Sequence, residues 1–308
     1  MNRTVLKKAH RLHIHTDRIH FRIGNLDVDW HIPGVNGRGR AVHPNDIKRA
    51  GVTAAFKKGE IRTTDDNLEF SRGKITVRVP LLDEVEEHAP LPTYAPNAMP
   101  WEPGIMGVRE AASGEDHRAI FRGVQFEPER IVASDGFRLF AMDTPTPAEK
   151  PAVIEATTLD VLKQLKPERY WLADGGMYAA GKDWAAYVPA MEGEYPDYWR
   201  VVPEEVLEPA VRVVADDWRE LLKTTNQTNP DRDQHRLDLH IDGSVSHEQI
   251  HIEGVFSPLP VEQSYNGKYL LEALEFTGDG SELLLSGPRA PTLVRNGDRW
   301  AVIVPLRV

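Results

Sequence analysis

Cysteine does not occur anywhere in the 308 residues, which rules out disulfides, thiolate metal sites and thiol nucleophiles. Long apolar runs are missing as well. Residues 1–15, MNRTVLKKAHRLHIH, contain none, so neither a signal peptide nor a membrane anchor is expected and the chain reads as cytoplasmic. Two common catalytic signatures, G-x-x-x-x-G-K-[ST] and G-x-S-x-G, do not occur; H-E-x-x-H occurs once, at His247–His251, inside the Leu237–Phe256 stretch whose alternation reads as strand and not as the helix that motif needs. Gly278–Asp279–Gly280 reads as a turn between a helix and a strand, not a phosphate cradle. With no spacing that singles out a catalytic triad, the expectation is a protein that is not an enzyme and uses no cofactor.

What is present describes a globular chain of more than one domain. Hydrophobic residues make up 41% and charged residues 27%, enough for buried cores and too apolar for disorder. The length favours two or three domains over one core. The net charge of −10 is unevenly spread. Residues 1–90 hold 16 basic and 12 acidic side chains, 91–203 hold 11 and 17, and 204–308 hold 10 and 18. An acidic exterior serves solubility, and it also permits a polyanion partner if basic groups gather on one surface.

Proline clusters set the boundaries. Ala89–Pro103, APLPTYAPNAMPWEP, follows the acidic Asp83–Glu87 and reads as a linker, and a second boundary falls near Val202–Pro209. Domains are therefore expected at 1–90, 91–203 and 204–308. Each contains a meander of alternating apolar and polar residues broken by turn signals: Arg11–Ile32, Ala119–Met142 and Leu237–Phe256. Each then offers a short amphipathic helix: His43–Ala50, Thr157–Leu165 with threonines that suit an N-cap, and Tyr265–Leu274. A β-rich half follows: Ile61–Leu82, Tyr170–Pro189 and Ser281–Val308. Further helices are expected at Ile105–Ala112 and Ala215–Thr225. The predicted fold class is α+β, with sheets that carry helices on one face and open edges that need pairing.

Histidines at 10, 13, 15 and 20 are the strongest competing signal. His13 and His15 lie two apart on a predicted strand and share a face, as metal ligands would. Leu12, Ile14 and Ile19 supply the opposite, core face. No third ligand stands nearby at a known spacing, so no metal site is expected.

Residues 121–143, FRGVQFEPERIVASDGFRLFAMD, carry the most specific wording in the chain. In order after it come Glu192–Pro203 (EGEYPDYWRVVP), Tyr265–Leu274 (YNGKYLLEAL), Gly287–Val294 (GPRAPTLV) and Val304–Val308 (VPLRV). Together these segments resemble the bacterial DNA polymerase III β sliding clamp family, over about two thirds of the chain. The resemblance implies three clamp-type domains, antiparallel sheets outside and helices lining a ring, and a non-enzymatic processivity factor around double-stranded DNA. It implies a homodimer, with polymerase and clamp loader as partners that bind through short peptide motifs.

Carried over to this chain, the partner-peptide pocket would use Phe121, Ser134, Gly136, Phe137, Arg138 and Leu139, then Pro196, Arg200 and Val201. The last half-domain would add Arg289, Pro291, Val302, Val304, Pro305, Leu306, Arg307 and Val308. Phe137 stands where the family commonly has histidine. Arg138→Ala is expected to weaken peptide binding without unfolding. Phosphate contacts would fall to Lys48, Arg49, Arg109, His117, Arg118, Lys163, Lys223 and Lys268, although Thr157–Thr158 replace a lysine many relatives carry. The subunit contact would use Val77 and Val79 on Lys74–Leu82. The family opens with a strand and a long helix before its meander; only Met1–Ala9 precedes the first meander here, so one inner helix is expected to be missing. Two other readings compete: a clamp-like adaptor or decoy that binds peptides without encircling DNA, and a tryptophan-rich carbohydrate-binding β protein.

Overall fold

The computed structural model describes residues 8–9, 11–43, 45–46, 60–114, 116–207, 210–213, 215–226, 236–247, 250–253 and 258–306. Four α-helices are described here: α1 (Gly104–Arg109), α2 (Ala156–Leu165), α3 (Ala215–Asn226) and α4 (Gly267–Thr277). The chain forms two compact units, one of Met1–Glu102 with Pro147–Met191 and the other of Pro103–Thr146 with Glu192–Val308. The fold class is α+β, with antiparallel sheets throughout the described strand pairs.

The first unit is built on an eight-stranded sheet. Its order is Arg40–Val42, Leu12–His15, Arg18–Ile23, Leu26–His31, Trp184–Pro189, Gly176–Ala180, Arg169–Ala173 and Met99–Pro100. Two-residue turns at Thr16–Asp17 and Gly24–Asn25 close the first two hairpins, with Asp17 and Gly24 both at positive φ. The edge of that meander is not left open: Trp30 lies opposite Trp184 and Val28 opposite Ala186. Leu12, Ile14, Ile19, Phe21 and Val28 are fully buried. Each such side chain contributes roughly 1.5–3 kcal/mol of burial energy. His13, His20 and Asp29 on the other face are buried as well, so that face is covered rather than solvated.

In the same unit the proline-rich linker lies on the sheet, with Leu91, Ala95 and Ala98 packed against Trp171 and Tyr178. Helix α2 buries Leu159, Val161, Leu162 and Leu165 and ends at Lys166 in the left-handed conformation. Its N-cap is Glu155; Thr157 and Thr158 sit inside the first turn, so they do not cap it. A three-stranded sheet runs Glu60–Thr63, Asn67–Arg72 and Ile75–Pro80, with the last strand at its edge.

The second unit repeats the plan. Strands Gly123–Glu127, Arg130–Ser134, Arg138–Asp143, Arg299–Ile303, Thr292–Asn296, Glu282–Leu284 and Val211–Arg212 follow one another in one sheet. A four-stranded sheet adds Ile250–Ile252, Val245–His247, Arg236–Leu239 and Gln263–Asn266. Helix α4 opens with Asn266, whose side chain accepts a hydrogen bond from the Lys268 backbone N–H at 3.1 Å. It packs against α3, and Trp218 donates from its indole to the Gly267 carbonyl at 2.9 Å. Phe140 and Phe276 stack with centroids 5.0 Å apart. Helix α1 fits closely here, since a Cβ at Gly107 would stand 2.8 Å from the Phe276 ring.

Residues 116–122 form a 3₁₀ helix, so the strand expected from Ala119 begins at Gly123. The helix expected over His43–Ala50 falls mostly outside the described residues, as do His10, Lys48 and Arg49.

Candidate functional site: a cavity beside the Ser134–Leu139 turn

Local sequence dictates the turn that forms this cavity. Asp135 accepts hydrogen bonds from the backbone N–H groups of Phe137 and Arg138 at 2.9 and 3.0 Å, the side-chain turn for which aspartate is suited. Ser134 Oγ donates to the Arg138 carbonyl at 2.7 Å and accepts from the Gly136 N–H at 3.0 Å. Gly136 sits at φ 89°, which a side chain would strain. The result pushes Phe137 into solvent, 51% exposed, while its carbonyl accepts from the Val304 N–H at 2.9 Å.

Strand pairing then brings the C-terminal segment alongside. Leu139 lies opposite Val302 and Arg138 opposite Ile303. The third wall is the Tyr195–Val201 segment, which packs Tyr195 and Tyr198 on Val132, Leu139, Ala141, Trp300 and Val302. Between these walls is a cavity of about 320 Å³. Of the expected pocket residues, Phe121, Ser134, Gly136, Phe137, Arg138, Leu139, Pro196, Val201, Val302 and Val304 line it. Around it Phe137, Trp199, Val201, Val304 and Leu306 are exposed, an apolar grouping that soluble surfaces seldom leave bare without use.

The remaining expected residues fall elsewhere. Arg289, Pro305 and Leu306 line a second, more polar cavity of about 410 Å³ with Arg236, Asp238, His240 and Glu262. Arg200 points outward, 3.3 Å from Asp197. Pro291 is half-buried beside the strand that starts at Thr292. Arg307 and Val308 lie outside the described residues.

Tyr195, Asp197 and Tyr198 line the cavity and were not anticipated. The signal was the YPDY spelling beside Pro196, which places two aromatics where the linker meets the sheet. Tyr198 donates to the Glu127 carboxylate at 2.9 Å and accepts from Arg130 at 3.4 Å. Burial, with the Glu127 charge, pushes its hydroxyl up to about 12, so it stays a donor. Burial likewise raises the Tyr195 hydroxyl well above the usual phenol range.

Arg138 requires a correction. It is not a free rim arginine: its side chain is 11% exposed. Its guanidinium pairs with Asp135 at 3.1 Å and with Glu272, donates to the Glu110 carbonyl at 2.9 Å, and lies 4.6 Å from the Tyr269 ring. Removing it would take the arginine from Asp135 and leave Glu272 with Lys268 at 4.0 Å, so Arg138→Ala perturbs the fold as well as the cavity.

Among the phosphate-contact candidates, Arg109 ends α1 and lies 3.8 Å from Glu110, and Lys163 is exposed near the end of α2. Lys223 pairs with Glu220 at 3.4 Å and Lys268 with Glu272 at 4.0 Å. His117 and Arg118 fall in the 3₁₀ turn, and their side chains are outside the described residues. On α3 the exposed positions among the described side chains are Asp216, Asp217, Glu220 and Lys223, three acids to one base. At the expected subunit contact, Val79 is 1% exposed and faces its own sheet with Leu68 and Phe70. It is Ile75, 69% exposed, that presents apolar surface on this strand, with Val77 partly buried.

No family model and no curated protein matches the chain. Solved structures do. The DNA polymerase III β subunit from Thermotoga maritima matches with a TM-score of 0.75 at 16% identity, covering 100% of this chain and 93% of that one. The Bacillus subtilis DNA polymerase sliding clamp gives 0.75 at 16%, with the same coverage. A Helicobacter pylori β clamp bound to a DNA ligase peptide gives 0.72 at 16%, covering 100% and 94%. From its first described strand to its last, this chain has the multi-domain fold of the bacterial sliding clamps.

Proposed function

We propose that the protein is a non-catalytic sliding clamp, a processivity factor that tethers polymerase and other partners to DNA through the cavity beside Ser134–Leu139. The observation that carries this reading is the convergence of three sequence-distant segments on one apolar cavity ringed by exposed Phe137, Val201 and Val304. A volume of about 320 Å³ suits one or two apolar side chains, and such anchors carry most of the energy of a short peptide contact. Encirclement then replaces tight DNA affinity: the ring slides while bound, and the pocket raises the partner's effective concentration at the template. Three domains at 1–90, 91–203 and 204–308, paired head to tail in two copies, complete the proposal.

The test is a fluorescence titration with a labelled peptide that carries leucine and phenylalanine anchors. Phe137→Ala and Val304→Asp alter exposed positions, so the fold is kept. Each is expected to weaken binding at least tenfold, about 1.4 kcal/mol. Wild-type affinity in both variants would remove the cavity from the mechanism.

The acidic surface of α3 favours a second reading, an adaptor that keeps the pocket and does not hold DNA. Sedimentation separates the two: a dimer at micromolar concentration supports the ring, and a monomer supports the adaptor.

A further inference from the structure

The covered face of the first meander carries a polar cluster that the clamp reading does not use. His13 and His20 are buried there, and His88 arrives from the segment just before the linker. His20 and His88 stack with centroids 3.8 Å apart, and His15 lies 5.7 Å from His88. Glu86 bridges two of these rings: one carboxylate oxygen is 3.3 Å from His13 Nε2 and the other 3.3 Å from His88 Nε2. The ligand atoms of His13, Glu86 and His88 all lie within 4.8 Å of one another.

We propose that His13, Glu86 and His88 form a binding site for a zinc-class divalent metal ion that fastens the linker to the first sheet. Four observations support it. First, bonds of about 2.0 Å to a tetrahedral ion put neighbouring ligand atoms roughly 3.3 Å apart; each imidazole lies 3.3 Å from a Glu86 oxygen, and one ligand atom from each of the three residues falls within 4.8 Å of the others. Second, two imidazoles and a carboxylate, with no sulfur, suit zinc and cobalt better than magnesium or calcium, which prefer all-oxygen shells. Third, the Nε2 atoms of His15 and His88 are buried without a hydrogen-bond partner, although the Glu86 carboxylate is near the latter. A buried ring nitrogen without a hydrogen bond marks a place where an ion or water can belong.

The fourth observation is the framework behind these ligands. His13 Nδ1 faces the Gly39 carbonyl at 3.4 Å; donating there leaves Nε2 as the ligand atom. Arg18 donates to the His88 carbonyl and, at 3.0 Å, to Asp29. Asp29, fully buried, also meets His20 Nδ1 at 2.9 Å and accepts from the Leu91 N–H at 2.7 Å. His20 in turn supports the His88 ring. The sheet side of the site is thus rigid, and Glu86, 57% exposed, gives an ion access from solvent. Three protein ligands leave a fourth position for water. The sequence marks only His13 of this set, because Glu86 and His88 lie far beyond the histidine cluster.

The full-length chain, stripped with a chelator, is titrated with zinc chloride by calorimetry, and retained metal is counted after dialysis. The wild type is expected to bind one zinc per chain and to gain thermal stability. Glu86→Gln and His88→Gln change partly exposed positions just before the linker, and circular dichroism checks that each is folded. Each is expected to weaken zinc binding at least about tenfold, and cobalt should give tetrahedral visible absorption in the wild type only. Failure of the wild type to retain zinc, or equal binding by both folded variants, would overturn the assignment and leave a hydrogen-bonded clasp. Neither outcome depends on peptide or DNA binding.

Discussion

Arg138 shows how one residue can serve the fold and the site together. Its guanidinium holds Asp135 of the turn and Glu272 of α4, so the shape of the cavity wall depends on a pair mostly shielded from water. Arg138→Ala should cost about 3 kcal/mol, because a mostly shielded pairing with Asp135 and Glu272 is broken and Glu272 keeps only Lys268 at 4.0 Å. Urea denaturation would read this as a lowered midpoint. Arg200→Ala, where the arginine is exposed beside Asp197, should change stability by under ~0.5 kcal/mol. Equal midpoints for the two variants would mean that Arg138 is not the anchor described. The VASDGFRL wording identified this turn, since Asp135 and Gly136 have local work to do. It did not disclose the partner of Arg138, because Glu272 lies on a helix far along the chain and no periodicity links the two.

At the scale of elements, alternation of apolar and polar residues was a sound guide to strands, and the meanders at 12–31 and 123–143 are where it put them. The pattern could not say which strands join. The pairing of Leu26–His31 with Trp184–Pro189 is long-range, and only tertiary packing chooses it. Period-two reasoning also misjudged Val79 and His13. Alternation says which residues share a face, but not whether something covers that face. Here Leu68 and Phe70 share a core with Val79, and His88, just before the linker, lies over His13. The helices pose a separate question, because the described exposed face of α3 is acid-rich. Replacing Asp216, Asp217 and Glu220 together with lysine should strengthen DNA binding. It should also steepen the fall of log affinity with log salt, by roughly 0.9 for each new phosphate contact. Unchanged binding and slope would show that α3 does not face DNA.

For the whole molecule, the ordered motifs pointed to the clamp fold, and the solved clamps match along the full chain. Identity of 15–18% explains why the resemblance rested on a few short segments: turns and pocket-forming strands tolerate few residues, whereas the rest of a sheet needs only pattern and volume. Ring formation is the central claim, since a topological tether requires a closed opening. Electron microscopy of the purified full-length chain tests it most directly. The account predicts particles of two copies that enclose a central opening wide enough for duplex DNA. Single-copy particles with no opening at micromolar concentration would contradict it.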